Sequence, residues 1–203
     1  MKRVFLFLTL IVTLLSACAV PVPVETEDPA LPTATEPVGV PTEVVPVPKL
    51  PAVSFESQTY IDETSGFALD YPADWTVTDA MVGERGSQVQ FLSSPDLANL
   101  ESLPEGATRV SATIYQWDPK NDLAAYVATR KTAWEASGFT ILEEGELILE
   151  QGLPAVQFTI QTPGGIALFL FTALGDQYLV LSGEGDLELV KEIVQHVRPI
   201  SVK

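Results

Sequence analysis

The sequence predicts an α+β domain, an antiparallel sheet of six to eight strands flanked by helices, preceded by an export leader and a disordered proline-rich linker. Three observations lead there. Strand-like alternation begins near Phe55 and recurs in short runs, and two stretches repeat apolar residues at helical spacing. The C-terminal half then sets four strand candidates in succession with little but turn-forming residues between them. Neighbouring strands joined by tight turns pair antiparallel, and helices outside such a run make a layered α+β unit.

The chain opens with Lys2 and Arg3 and then runs from Val4 to Leu15 without a charge, the basic and apolar regions of an export signal. Leu15-Ser16-Ala17-Cys18 follows: an aliphatic residue, two small ones and a cysteine. This pattern resembles the bacterial lipobox, in which the cysteine thiol takes a diacylglyceryl group. Residues 1–17 thus read as a lipoprotein signal peptide and Cys18 as the lipidation site. Other readings of the segment stay open. Ala17-Cys18-Ala19 also satisfies an ordinary Ala-x-Ala cleavage site, and an uncleaved anchor is a further option, although Pro21 interrupts the stretch somewhat short of the roughly 20 residues a spanning helix needs. A buried core helix is disfavoured, since a run between two cations and a polar tether has nothing to pack against. Cys18 is the only cysteine, so no intrachain disulfide can form. One acyl chain anchors only marginally, whereas the several chains that the lipobox resemblance implies, palmitate among them, would hold the protein stably at the extracytoplasmic face of the cell membrane.

Removing residues 1–17 takes away two of the 11 cations and none of the 27 acids, moving the formal charge from −16 to −18. Nucleic acid is excluded as a partner, because binding a polyphosphate needs cationic surface. The same acidity should hold the domain away from anionic headgroups and serves solubility.

Residues 18–53 form the lipidated cysteine and linker. Pro21, Pro23, Pro29, Pro32, Pro37, Pro41, Pro46, Pro48 and Pro51 are too closely spaced for helix or central strand. About 35 residues of partly polyproline II chain, at roughly 3.1 Å each, could extend on the order of 100 Å. A spacer through the envelope is the simpler reading; a motif for a proline-recognition module is the other.

Residues 54–203 form the domain. Its first strand candidate is Gln58 to Asp62, followed by a turn at Glu63-Thr64-Ser65-Gly66. In Gly66 to Pro72, Phe67, Leu69 and Tyr71 share one face, Pro72 ends the strand, and Trp75 begins another short one with Val77. Val89 and Phe91 mark a half-buried strand. Arg109 to Trp117 marks a longer one, with Val110, Ala112 and Ile114 on one face and Tyr115 and Trp117 on the other. Ser93 to Thr108 reads as a long loop with room for one helical turn.

Asp118-Pro119-Lys120-Asn121 reads as a helix start, and Leu123, Tyr126, Val127, Arg130 and Trp134 recur at helical spacing up to Ser137, with Gly138 as the left-handed terminator. The four strands then follow at about Thr140 to Glu150, Leu153 to Thr162, Ile166 to Leu174 and Gln177 to Ser182. Ile166 to Phe171 is apolar at every position, so this strand should be central and covered on both faces. A last helix from Leu187 to about Val197 places Leu187, Val190, Ile193, Val194 and Val197 on one stripe and stops before Pro199.

Tyr60, Gly66-Phe67, Tyr71-Pro72 and Trp75, then a mid-chain helix, a meander and a closing helix running into Val197-Arg198-Pro199, resemble the PsbP-like domain over roughly residues 57–203. The resemblance implies an antiparallel sheet flanked by helices, in a family whose members are mostly non-catalytic accessory or binding proteins. Plant members assist photosystem II, a relative of the same fold binds a small GTPase, and several bacterial members are lipoproteins.

Residues able to carry chemistry are few. His196 is the only histidine and falls near the end of the last helix, where a partly exposed cation would complement the dipole. A Ser-His-Asp triad would need it, and no nucleophile-elbow pattern accompanies it. Glycoside hydrolysis needs two carboxylates, and Glu143, Glu144, Glu184 and Asp186 are candidates, but in so acidic a chain pairs arise by chance. Glu184, Asp186 and Glu188 could attract a hard cation, or partner a helix N-terminus. Gly164-Gly165 and Gly183 to Gly185 lack the lysine or spacing of a phosphate loop and read as turns. Tyr115, Trp117 and Trp134 could line an aromatic groove or simply pack the core.

No catalytic, metal or cofactor-binding residue is assigned. The resulting expectation is a membrane-anchored lipoprotein whose domain is a non-catalytic binding or accessory module for a protein or an apolar small molecule. The alternatives are an envelope hydrolase using acidic residues and a purely structural envelope protein.

Overall fold

The structure, a computed structural model, describes Leu50 and residues 52–83, 86–116 and 122–200. The leader, Cys18 and the tether as far as residue 49 lie outside the described residues, as do Trp117 and the Asp118–Asn121 helix start.

Strand β1 (Ser57–Asp62) pairs antiparallel with β2 (Phe67–Pro72), Tyr60 opposite Leu69. The turn between them closes because the Asp62 carboxylate accepts from the backbone N–H groups of Thr64 and Ser65. Next come β3 (Thr76–Val77), β4 (Met81–Gly83), β5 (Gly86–Leu92) and β6 (Arg109–Gln116). The long loop between β5 and β6 contains one 3-10 turn at Pro95–Leu97. Helix α1 (Leu123–Ala136) follows, then the meander β7 (Thr140–Ile148), β8 (Pro154–Thr162), β9 (Gly165–Leu174) and β10 (Gln177–Glu184). Helix α2 (Leu187–Gln195) and the short strand β11 (Arg198–Pro199) complete the order.

An eight-stranded antiparallel sheet runs β3-β5-β6-β10-β9-β8-β7, with β4 also pairing β5. The apolar run in β9 is central, as its composition predicts. Leu168 and Leu170 enter the larger core on one face while Ala167 and Phe171 enter the smaller core beneath α1 on the other. The larger core lies between this sheet and a layer made of α2 and a second, three-stranded sheet, β1-β2-β11. That second sheet departs from the one-sheet reading of the sequence. The first two strands pair with β11, which returns from the end of the chain, and with it they cover the face of the main sheet.

Helix α1 is capped by Asp122, whose carboxylate accepts from the Ala125 N–H at 2.8 Å. It ends at Gly138, with φ of 78°, where the Phe139 N–H closes back on the Trp134 carbonyl. Helix α2 ends earlier than the sequence stripe suggests. His196 caps it, and the chain then turns to pair Arg198 with Ala68 and Pro199 with Phe67. That turn buries His196, which is 7% exposed and not the partly open helix end predicted from its position.

The second sheet is clamped by an ion pair. Arg198 donates to both oxygens of Asp70 at 2.9 and 3.0 Å, and the Thr59 hydroxyl donates to Asp70 at 2.6 Å. Partial burial pushes the Asp70 carboxyl up, but the hydrogen bonds from Arg198 and Thr59 and the Arg198 charge outweigh it and hold the carboxyl below its usual 3.8. A lowered folded value gives stability that is present above the unfolded value and lost as pH falls through the folded one. Asp70→Asn should cost about 2 kcal/mol at pH 7. Urea unfolding of the two proteins should converge as pH falls through the lowered Asp70 value, and a gap that persisted in acid beyond it would locate the effect elsewhere.

Candidate functional site

The residues with chemical potential are dispersed. His196 Nδ1 stands 3.8 Å from Glu150, and no hydroxyl is hydrogen-bonded to its ring among the described residues. Glu184 faces Arg109 at 3.6 Å, and Asp186 is the cap of α2, accepting from the N–H groups of Glu188 and Leu189. These acids lie at the β10–α2 connection, whereas Glu143 and Glu144 lie on β7 at the edge of the sheet. Among the described residues no three metal-ligating side chains come together. Of the aromatic residues, Trp134 is core, 4% exposed and edge-on to Phe158 with centroids 5.4 Å apart. Tyr115 is half-buried beside Tyr126, and Trp117 lies outside the described residues. Tyr126 stacks on Tyr178 at 4.2 Å and 10°. Burial pushes its hydroxyl up to about 12 despite the opposing charge of Arg130, so it stays protonated and packs.

What the fold does build is a cleft between the first turn of α1 and the β7–β8 hairpin, about 510 Å³ in volume. Leu123 and Ala124 form one wall, Ile148, Pro154 and Val156 the other, and Glu146 contributes the charge at its rim. Three local causes place it. A β-bulge between Ile141 and Glu143 puts one extra residue, Leu142, into β7. Beyond the bulge Glu144, Glu146 and Ile148 share the α1 side of the sheet with Phe158, Val156 and Pro154, while Leu147 turns to the large core opposite Ala155. Were Leu142 paired in regular register, Glu146 would fall opposite Ala155 and face the core, so the bulge keeps charge out of the interior.

The hairpin end is fixed. Leu149 is fully buried, and its N–H donates to the Leu153 carbonyl at 2.8 Å around a turn in which Gln151 takes φ of 58°. The helix is fixed by Val127 and Trp134, its two buried residues, while Ala124 presents only a methyl group towards the hairpin. A larger side chain there would fill the space. Further along the helix, Lys131 donates to Glu144 at 2.6 Å and lies 5.7 Å over the Phe158 ring.

A second cleft, about 600 Å³, lies between the 103–107 loop, the β8–β9 turn and the β10–α2 connection. It is larger, but Glu184 and Asp186 in its wall already serve Arg109 and the helix cap, and turns make up most of the rest. The apolar cleft is therefore the better candidate for a ligand. The sequence carried one sign of it. Leu147-Ile148-Leu149 sets three apolar residues in a row, and a strand with one covered face cannot bury all of them. Ile148 is the residue left out, 47% exposed.

No family model matches the chain, and no curated protein does. Among solved structures, the solution structure of cyanobacterial PsbP (CyanoP) from Synechocystis sp. PCC 6803 is similar with a TM-score of 0.51 and 16% identity, over 76% of this chain and 99% of that one. The Ran-binding protein Mog1p of Saccharomyces cerevisiae is matched with a TM-score of 0.47 and 14% identity, over 73% of this chain and 97% of that one. The likeness to CyanoP shows the fold: the domain is PsbP-like, as the aromatic strand and closing helix in the sequence suggest. Identity this low carries no residue's role from one chain to the other.

Proposed function

We propose that the chain is an extracytoplasmic lipoprotein whose PsbP-like domain is a non-catalytic binding module, receiving an apolar group of a protein or small molecule in the cleft between α1 and the β7–β8 hairpin. The observation that carries this reading is the cleft itself, open, apolar-walled and lined by no group placed for reaction. Geometry also favours its use. Phe55, at the start of the domain, packs into the large core on the α2 side, and Ser54 is hydrogen-bonded to Glu192 of α2. The described chain thus enters the domain on the α2 side of the main sheet, the face opposite the cleft.

The cleft is tested by titrating the full chain, in mild detergent, with the neutral apolar dye Nile red. Saturable binding is expected, weakened at least tenfold in Ala124→Glu/Ile148→Glu. Both positions are exposed, and an acid in the first turn of a helix is favourable, so this variant should unfold at the same urea concentration as the parent. Unchanged dye binding would remove the cleft from the account.

Anchoring rests on the basic and apolar leader and on Leu15-Ser16-Ala17-Cys18. Cells expressing the chain and fed an alkyne analogue of palmitate should label it, and Cys18→Ala should lose the label and leave the membrane fraction. Label retained without Cys18 would refute lipidation at that residue.

A further inference from the structure

We infer that β7 receives an extended, cationic segment of a partner protein along its outer edge, adding a strand to the sheet with one apolar side chain seated in the cleft. The inference rests on the binding-module reading and specifies its partner. Strand β7 ends the sheet order, and among the described residues no strand pairs its outer side. An edge strand presents a row of backbone N–H and C=O groups that another chain can complete. Beyond the bulge, Glu143 to Ile148 keep a regular register with β8, long enough to seat six residues of a partner. The opposite edge of the sheet offers nothing comparable, since β3 and β4 are two and three residues long and interrupted at residues 78–80.

Charge selects the occupant. Glu143, Glu144 and Glu146 are all exposed along this edge. Glu144 is paired with Lys131, and Glu143 and Glu146 have no ion pair among the described residues. A second copy of the chain would bring one acidic edge beside another, which like-charge repulsion disfavours. The strand that fits sets a cation opposite Glu143 on one face and, on the α1 face, a cation opposite Glu146 followed by an apolar residue opposite Ile148 at the cleft.

The probe is a fluorescein-labelled heptapeptide of six lysines and one valine, the valine placed to fall opposite Ile148, titrated into the full chain by fluorescence anisotropy. Saturable binding is expected that weakens with salt, falls at least tenfold in Glu143→Lys/Glu146→Lys, and is absent for the glutamate–valine counterpart. A form of the peptide with every inner amide N-methylated keeps its charges but cannot pair as a strand, and should lose binding at least tenfold. Equal binding of the methylated form, or no effect of the charge reversal, would overturn strand addition, as would dimerisation of the chain through β7 in sedimentation. Nile red separates the two levels: dye binding without peptide binding defeats only this inference, whereas failure of both defeats the binding-module reading as well.

Discussion

Trp134→Ala is expected to destabilise the domain by about 3–5 kcal/mol and to release α1 from the sheet. The smaller core contains Val127, Trp134, Phe158, Ile160, Ala167, Phe171 and Val180 as its buried members, and the helix supplies only the first two. The indole touches three phenylalanine rings, with centroids 5.4 Å from Phe158, 5.1 Å from Phe169 and 5.7 Å from Phe171. Removing it deletes a large apolar area and leaves a cavity that three rings fixed on strands cannot collapse to fill. Native-state hydrogen exchange should then show α1 losing protection while β9 and β10, anchored also by the larger core, keep most of theirs. Because Leu123 and Ala124 form a wall of the cleft, Nile red binding should weaken in the same variant. A loss below about 1 kcal/mol would mean that the helix is held by something other than this stripe.

Gly185→Ala is expected to cost about 3 kcal/mol or more, combining backbone strain with overpacking. Gly185 has φ of 103°, and a Cβ there would stand 2.2 Å from the Ala107 carbonyl oxygen and 2.8 Å from Thr108 Cα. Both neighbours are backbone, so no side chain can swing aside. Relief would require the 107–108 segment to retreat, breaking the 3.1 Å hydrogen bond from the Asp186 N–H to the Thr108 hydroxyl next to the cap of α2. Gly106→Ala is the internal control. Its φ is 78° with nothing within 4 Å of the new methyl, so it should show only the left-handed penalty of about 1–2 kcal/mol. Equal urea midpoints for the two variants would contradict the close approach of the chains at Gly185.

Much of this architecture was readable in the sequence where local chemistry acts alone. Gly138 ends α1, and Asp186 caps α2, as helix-terminus rules require. The Gly and Pro punctuation between residues 150 and 177 defines the hairpins of the meander. The rest depends on distant partners. Nothing within Ser57–Pro72 says that β1 and β2 leave the main sheet, because the choice is made by β11 arriving from the other end of the chain. Asp122 caps α1, and a run of polar residues does not single it out; packing of Val127 and Trp134 selects the phase. His196 is buried for the same reason as β11 exists, the return of the chain beneath α2. The bulge at Leu142 is hidden in an alternation that looks continuous, and it decides which glutamates border the cleft. The cleft also needs Ala124, and no pattern along one chain segment reveals what a small residue faces.

The most direct test of the central claim is a two-dimensional amide NMR spectrum of the full chain in mild detergent, recorded while Nile red is added. Binding in the cleft predicts saturable shifts concentrated on Leu123, Ala124, Glu146, Ile148 and Val156, with α2 and the β1–β2 hairpin undisturbed. Shifts centred on the 103–107 loop and the β10–α2 connection, or none that saturate, would contradict the assignment of the cleft as the binding site.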